Sequence, residues 1–499
     1  MTQKKTVGIV GGGPGGLMAA MLLSSRGLDV TLYERSNQVG GRCGKLEKGE
    51  YSWDIGPTFL MYKELLEECF SEAGASLSEQ LDLVRLDPMY QLFFSDKNIS
   101  IFPESAQTEV ELEKHFPGAR PSFRRFRDKE RKRFESLRPL LQKDFSRKRN
   151  YLSWEGLKAL PHLGLGSSVF RRLRDHFTDE DLSLAFSFQS KYLGMSAWDC
   201  PSMFSIIPHL EHEYGVYHVM GGLYRINQAM AETARRNGAK IHTSTPVREI
   251  IVEGGRATGL LLDDSAVKKF DHVVVNADFA FAVKNLIRNE FLNQYKHERI
   301  ERMKYSCSTY MLYLGLKGKT TIPFHSIVFA RDYKRNVREI FETGTLSQDL
   351  SFYVRNASQI DPNFAPKGNS ALYVLVPVPN LKQYDDWDRS ADSFRELVFR
   401  EIQVRLGLSN LKSRIEEEVI ITPQDWERRM NVQYGATFNL SHSWDQLAMF
   451  RPHNAFNDIN KLYLVGGGTH PGSGLPTIYE SGRIATKLIL QNEGYHYDK

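Results

Sequence analysis

Cysteine is scarce in this chain, with four residues in a total of 499. Cys43, Cys69, Cys200 and Cys307 have spacings that match neither a disulfide framework nor a metal-binding knuckle. We therefore expect reduced thiols, a cytoplasmic setting and no metal site.

Long apolar runs and a strong charge bias are also missing. No uninterrupted apolar run approaches the roughly 18 residues of a membrane-spanning helix, and the polar start, Met1 to Thr6, lacks the apolar core of a secretory signal. The net charge of +5 is too small over this length to indicate a dedicated nucleic-acid-binding protein. The sequence thus predicts neither a membrane span nor a nucleic-acid partner.

The remaining composition is that of a folded protein, with 41% hydrophobic and 25% charged residues. One stretch, Arg120 to Arg149, carries thirteen Lys or Arg against four acids. Such a stretch is typical either of a helix at a lipid surface, with its apolar residues in the acyl boundary, or of an ordinary solvated face. The apolar residues within it are Phe123, Phe126, Phe134, Leu137, Leu140, Leu141 and Phe145.

The amino-terminal end reads as strand, glycine-rich turn, helix and second strand. Val7 to Val10 and Asp29 to Tyr33 are strand-like, and Gly11, Gly13 and Gly16 satisfy G-x-G-x-x-G between strand and helix. Glycine permits the tight turn, the close approach of a pyrophosphate and helix–strand packing, while the helix amino terminus favours phosphate charge. The pattern predicts a dinucleotide site formed by Gly11, Gly12, Gly13, Pro14, Gly15 and Gly16.

An acid completes this unit. Glu34 ends the second strand, about twenty residues after the first glycine, where a carboxylate can accept hydrogen bonds from ribose hydroxyls. The alternative is a structural glycine turn with a surface glutamate. Further predicted cofactor contacts are Arg35, beside Glu34, and Val247, at the start of a later strand-like run.

Three further glycine segments indicate a flavin. Glycines in Gly40-Gly41-Arg42 let the chain pass close to a diphosphate, and Arg42 supplies positive charge. The amino terminus of the last helix, which follows the glycine-rich segment within residues 466–476, would stabilise negative charge on a reduced flavin. Taken alone, each of these segments also fits an ordinary structural turn. The contacts predicted in these segments are Gly41, Arg42, Gly56, Pro57, Thr58, Gly466, Gly467, Gly468, Gly474 and Pro476.

Together these motifs resemble the bacterial phytoene desaturase family, which includes the dehydrosqualene (diapophytoene) desaturases. The likeness also includes residues 185–189, 373–379, 421–423 and 450–454, and so covers almost the whole chain. The resemblance implies an amine-oxidase-like α/β fold, in which a Rossmann-type FAD-binding domain joins an antiparallel-sheet substrate domain and a helical, membrane-associated cap. It also implies noncovalent FAD, a long isoprenoid substrate, a membrane lipid surface as partner and a peripheral position on the inner face of the cell membrane.

The expected domain division follows the motifs. Residues 1–100, 216–300 and 456–499 form the FAD-binding domain, residues 101–215 the cap, and residues 301–455 the substrate domain. Strand-like runs between residues 240 and 275 suggest a return to the first sheet, and those between 305 and 377 predict a second, mainly antiparallel sheet.

The predicted activity introduces conjugated double bonds into phytoene or dehydrosqualene by hydride transfer to the flavin N5 in an apolar tunnel. His470 and Glu480 are candidate polar partners of the flavin, although His470 is favoured as structural, and no catalytic base is assigned. Tyr192 to Met203 and Met303 to Leu314 are candidate tunnel walls or ordinary core.

Several alternatives remain. They are a carotenoid terminal oxygenase or isomerase, an amine oxidase, and a flavin-binding membrane chaperone or carrier without turnover. The terminal electron acceptor, oxygen or a quinone, and the C30 or C40 length of the substrate also stay open.

Overall fold

The computed structural model describes residues 4–146 and 153–495. The strands are β1 Thr6–Val10, β2 Asp29–Tyr33, β3 Lys45–Lys48, β4 Tyr51–Asp54, β5 Leu60–Met61, β6 Leu83–Arg85, β7 Tyr90–Phe93, β8 Asn98–Ile101, β9 Val216–Val219, β10 Lys240–His242, β11 Val247–Glu253, β12 Arg256–Leu262, β13 Val267–Lys269, β14 His272–Val275, β15 Ser308–Leu316, β16 His325–Val328, β17 Phe352–Asn356, β18 Ser370–Val378, β19 Ile415–Ile421 and β20 Leu462–Leu464. The helices are α1 Pro14–Ser25, α2 Lys63–Glu72, α3 Ser105–His115, α4 Ala119–Leu141, α5 Trp154–Leu163, α6 Val169–Arg174, α7 Glu180–Ala185, α8 Ile206–Tyr214, α9 Tyr224–Arg236, α10 Phe279–Asn285, α11 His297–Arg302, α12 Tyr333–Arg338, α13 Trp387–Arg405, α14 Leu411–Arg414, α15 Pro423–Met430 and α16 Leu475–Asn492.

A parallel sheet unites the two ends of the chain. Its order is β10-β2-β1-β14-β20, so the first strand lies in the middle and the last strand at an edge. Helix α1 is apolar almost throughout and packs between α9 and α16. Gly482 allows α16 to come close, because a Cβ there would lie 2.9 Å from Met18 Cβ. The carboxyl-terminal helix therefore packs in the same unit as β1, α1 and β2.

A seven-stranded sheet forms the second layer, in the order β19-β15-β18-β17-β16-β7-β8. Successive side chains of a strand point to opposite faces. Leu312 on β15 and Val374 on β18 are buried with α13, whereas Met311 and Leu375, which are paired in the register, line a cavity on the other face. The predicted second sheet is mainly antiparallel in the structure, with one parallel pair, β7 with β16.

Two expectations about strand partners need correction. The strands β11, β12 and β13 form a separate antiparallel sheet, and only β10 and β14 of the runs between residues 240 and 275 return to the first sheet. The strands β7 and β8 belong to the seven-stranded sheet, although β7 and all but the last residue of β8 lie within residues 1–100. Strand character is visible in local sequence, but the choice of a distant pairing partner is not.

The basic stretch in the cap is largely α4, and its aromatic side chains turn inward. Phe123 and Phe126 are fully buried, and Phe134, Leu137 and Phe145 are nearly so. These aromatic residues form part of the protein core, so the expectation that they enter lipid is wrong. Residues 147–149 of the stretch lie outside the described residues. Within the described ranges, no helix is both long and apolar enough to cross a membrane.

Candidate functional site

A cavity of about 820 Å3 lies between the parallel sheet and the seven-stranded sheet. Its walls come from both ends of the sequence. The predicted cofactor contacts that line it are Gly11, Gly13, Pro14, Glu34, Arg35, Gly41, Arg42, Gly56, Pro57, Thr58, Val247, Gly466, Gly467, Gly474 and Pro476. Gly12, Gly15, Gly16, Gly468, His470 and Glu480 are not among the residues that line it.

The first glycine turn is shaped by close contacts with Asn276, just after β14. Gly11 has a φ of 95°, and a Cβ there would collide with the Asn276 carbonyl oxygen. A Cβ on Gly13 would lie 2.8 Å from Asn276 Nδ2, and one on Gly16 would collide with the Gly11 carbonyl oxygen. Only glycine avoids these collisions. The turn leads directly into α1, and its backbone at Gly11 and Gly13 faces the cavity.

Glu34 is buried and holds the backbone of both neighbouring loops. Its Oε2 accepts a hydrogen bond from the Gly12 N–H at 2.7 Å, and its Oε1 accepts one from the Ser36 N–H at 2.8 Å. Each carboxylate oxygen has a second lone pair, so the carboxylate can also accept hydrogen bonds from a ligand.

Arg42 connects the amino-terminal unit to a loop that lies about 400 residues later in the sequence. Its Nη1 donates to the Thr437 carbonyl at 2.7 Å, and its Nη2 donates to Asn439 Oδ1 at 3.0 Å. Gly40, with a φ of 114°, makes the turn before it. A Cβ on Gly56 would collide with the Arg42 carbonyl oxygen, so the second and third glycine segments are in contact.

Tyrosines of the seven-stranded sheet fix the segment that contains Gly56 and Thr58. Tyr373 donates to the Gly56 carbonyl at 2.8 Å, and the Tyr353 hydroxyl lies 2.7 Å from Thr58 Oγ1. The same hydroxyl lies 2.6 Å from His325 Nδ1. Burial lowers the pKa of His325 well below its usual range, so this imidazole is neutral.

The closing segment meets the opening one directly. A Cβ on Gly15 would lie 3.0 Å from the Gly466 nitrogen, and Gly466 N–H donates to Ser481 Oγ on α16 at 2.9 Å. The guanidinium of Arg451 is fully buried and donates to main-chain carbonyls, including Gly467 at 2.6 Å and Thr469 at 3.1 Å. These bonds hold the segment against the cavity.

His470 and Glu480 lie behind that wall. Burial lowers the pKa of His470 to about 3, and its ring packs edge-on against Phe145 with 4.7 Å between centroids. Glu480 accepts hydrogen bonds from Arg483 Nη1 and Gln142 Nε2, each at 2.9 Å. These contacts link α16 to the cap.

A buried ionic network supports the site from behind, and the sequence did not reveal it. Arg355 on β17 donates to Asp54 Oδ2 at 2.6 Å and lies 2.9 Å from His218 Nδ1. His218 Nε2 lies 2.7 Å from Asp361, which also accepts the Gly221 N–H at 2.6 Å. The available signal was a charged residue, Arg355, directly after the largely apolar run Phe352–Val354, since a buried charge requires partners.

Beyond Thr58 the cavity continues as a largely apolar space, which we call the chamber. Phe59 stacks on His325 with 4.1 Å between ring centroids. The chamber is lined by Phe59, Met61, Phe188, Lys191, Tyr192, Cys307, Thr309, Met311, Ile327, Val328, Phe329, Tyr333, Ser351, Phe352, Tyr353, Tyr373, Leu375, Pro377, Trp426 and Met430. Of the two predicted tunnel segments, it includes only Tyr192, Cys307, Thr309 and Met311. The cavity thus joins a glycine-lined cradle to a space suited to an apolar molecule.

Comparison with known proteins agrees with this geometry. The model of the family described as flavin containing amine oxidoreductase matches residues 14–490. A 4,4'-diapophytoene desaturase (4,4'-diapolycopene-forming) of Methylomonas is 46% identical over 98% of this chain and 96% of its own length. A zeta-carotene-forming phytoene desaturase of Myxococcus xanthus is 35% identical over 98% of this chain and 94% of its own length.

Solved structures share the fold. Putrescine oxidase has a TM-score of 0.65 at 13% identity, with 99% of each chain covered. Cyclohexylamine oxidase from Brevibacterium oxydans has a TM-score of 0.63 at 13% identity, with 99% of this chain and 100% of that chain covered. The predicted amine-oxidase-like fold and the predicted flavoprotein class are confirmed. The chain belongs to the flavin-containing amine oxidoreductase family and, within it, to the group of the bacterial phytoene and diapophytoene desaturases.

Proposed function

We propose that this protein is an FAD-dependent desaturase that introduces conjugated double bonds into a long isoprenoid hydrocarbon such as dehydrosqualene or phytoene. The observation that carries the proposal is the single cavity that runs from the glycine cradle into the chamber. The names of the relatives, which are diapophytoene and phytoene desaturases, support the same substrate class.

The residues present suit FAD. Glu34 would bind the adenosine ribose. Gly11 and Gly13, where the structure leaves no room for a Cβ, would let the pyrophosphate approach the backbone. Arg42 would add positive charge near the diphosphate, and the start of α16 would face the flavin ring. When bound, FAD supplies the hydride acceptor that no amino-acid side chain provides.

The chamber residues do the positioning. Apolar walls such as Met311, Leu375 and Phe329 bind a hydrocarbon and exclude water, and the rings of Phe59 and Tyr353 limit the space next to Thr58. Holding an allylic carbon in one place supplies much of the rate gain for a substrate that has no polar handle.

Membrane docking through α5 is part of the proposal. Trp154, Leu157 and Leu160 are 68%, 52% and 57% exposed, and Leu165 just after the helix is 65% exposed. Trp154, Leu157 and Leu160 are three residues apart and so form an apolar stripe along one side of the helix, on the outside of the cap. An ordinary surface helix turns its apolar side to the core instead. Such a stripe beside the basic helix α4 fits an anionic lipid interface, from which a hydrocarbon substrate can be taken.

Production of the protein in cells that make either phytoene or dehydrosqualene tests the activity. New conjugated polyenes, identified by absorbance spectra and mass, are expected, and the Gly13→Val variant serves as the matched control without flavin. A terminal aldehyde would indicate an oxygenase instead. Protein that retains FAD but yields no product with either precursor would indicate a carrier.

A further inference from the structure

The chamber contains one amine among its apolar walls. Lys191 lies in the short 3-10 turn Phe188–Leu193, and its side chain lines the cavity. Its Nζ donates to Ser351 Oγ at 2.5 Å and lies 4.6 Å from the centroid of the Tyr333 ring. Ser351 in turn donates to Asn336 Oδ1 at 2.6 Å. The amine is thus held in place by neutral groups.

No counter-ion accompanies this lysine within residues 4–146 and 153–495, where no Asp or Glu oxygen lies within 4.0 Å of its Nζ. An unpaired ammonium in such surroundings is costly. Burial therefore lowers the pKa of Lys191 to about 7. A neutral amine that donates to Ser351 keeps its lone pair, and that lone pair can accept a proton.

Lys191 lines the same cavity as Thr58 and as Gly474 and Pro476 at the start of the helix proposed to face the flavin. Ser351 directly precedes β17 and stands two residues before Tyr353, a spacing of about 7 Å in an extended chain. Both line the chamber, and the Tyr353 hydroxyl reaches Thr58. Lys191 and Thr58 thus each contact a polar residue of the same short segment, residues 351–353.

Desaturation must remove two hydrogens from neighbouring carbons. One C–H bond breaks with its electron pair, which leaves with the hydrogen as a hydride to a bound flavin, and the next C–H bond leaves its electrons in the new double bond and releases a proton. We propose that Lys191 Nζ accepts this proton and becomes an ammonium group, an inference that rests on the proposed desaturase function.

Other groups in the chamber are poorer acceptors. Burial raises the pKa of the Cys307 thiol to about 12 and raises the pKa of Tyr353 and Tyr333 above its usual range, so all three stay protonated. Glu211 hydrogen-bonds to the Tyr192 hydroxyl at 3.3 Å but does not line the cavity. Among the described residues, Lys191 is the chamber group that can change its protonation near neutral pH.

The test uses the purified, FAD-loaded protein in vesicles that contain dehydrosqualene or phytoene, and follows flavin bleaching without oxygen. The Lys191→Met variant should retain FAD and bind substrate but bleach about 100-fold to 10,000-fold more slowly, the usual contribution of a general base. The wild-type rate should rise as the pH increases through about 7, because the amine must lose its proton first. Lys191→Arg should not restore the rate, since a guanidinium stays protonated.

A second readout does not depend on turnover. Brief acetylation at pH 7 with a small apolar reagent, mapped by mass spectrometry, should modify Lys191 faster than the exposed Lys240, because only the neutral amine reacts. Two results would overturn the role of Lys191 while leaving the desaturase proposal intact. One is a bleaching rate of Lys191→Met within threefold of the wild-type rate, and the other is acetylation of Lys191 that is no faster than that of Lys240. If wild-type protein bleaches with neither precursor, the proposed function fails and the base assignment fails with it.

Discussion

The backbone N–H of Gly12 donates to Glu34 Oε2 at 2.7 Å, so the acid proposed to bind ribose also holds the turn proposed to bind pyrophosphate. The two motifs are therefore one structural unit. Changes at Glu34 should alter both the direct contact with FAD and the shape of the glycine turn.

We predict that Glu34→Ala weakens FAD binding by about 1 to 3 kcal/mol, the range for hydrogen bonds to a charged partner. Glu34→Gln should lose less, because its amide oxygen can still accept the Gly12 N–H. Quenching of FAD fluorescence on titration measures the affinity, and the exposed Glu253→Gln provides the control. Unchanged affinity in Glu34→Ala would contradict the assignment.

Substitutions at the second and third glycines of the motif, Gly13 and Gly16, should have different effects. A bulky side chain at Gly13 presses on the Asn276 amide and fills the cradle, so Gly13→Val should abolish FAD retention. Gly16→Ala meets a backbone carbonyl that cannot move aside, and should lower the free energy of unfolding by about 1 to 3 kcal/mol. Flavin absorbance and urea unfolding separate the two effects. Gly13→Val protein that stays yellow would count against the cradle.

Arg355 and Asp54 should stabilise the folded protein only when both are present. Arg355 is 1% exposed and Asp54 2%, so Arg355→Met leaves a buried carboxylate without its cation. We expect a loss of about 3 to 5 kcal/mol in the free energy of unfolding. The double variant Arg355→Met with Asp54→Asn should recover part of this loss in a double-mutant cycle. Simple additivity of the two losses would show that they do not interact.

Lys191→Met should stabilise the protein in a pH-dependent way. The ordinary pKa of lysine is 10.5, and that of Lys191 in the folded protein is about 7. Between these values the unfolded chain binds a proton that the folded protein lacks, so wild-type stability rises with pH. The advantage of the variant should be greatest at pH 7 and below and should shrink toward pH 10. Thermal unfolding across this range measures it, and a constant difference would contradict the lowered pKa.

The stripe on α5 should govern membrane attachment. Replacing Trp154, Leu157 and Leu160 together by serine should reduce co-sedimentation with anionic phospholipid vesicles at least about tenfold, since each buried side chain contributes about 1.5 to 3 kcal/mol. Val404→Ser, at another exposed apolar position, is the control and should bind as the wild type does. Equal binding of the triple variant would place the contact elsewhere.

Local patterns in the sequence were sufficient for much of this protein. The turn at Gly11 to Gly16, the acid at Glu34 and the strands of the second sheet are short-range signals, because turn geometry, helix packing and side-chain alternation act over a few residues. The family resemblance added the fold, which the comparisons confirm.

Only the tertiary structure decided which distant residues meet. It joined β7 to β16, connected Arg42 to Asn439 and Arg355 to His218, turned the aromatic residues of α4 into the core and left the apolar stripe of α5 outside. It also placed Lys191 in an apolar chamber, which changes its chemistry. The sequence by itself determined the local turns and periodicities, whereas burial and long-range pairing depend on the whole packed chain, and these two properties set the charge state and the role of a side chain.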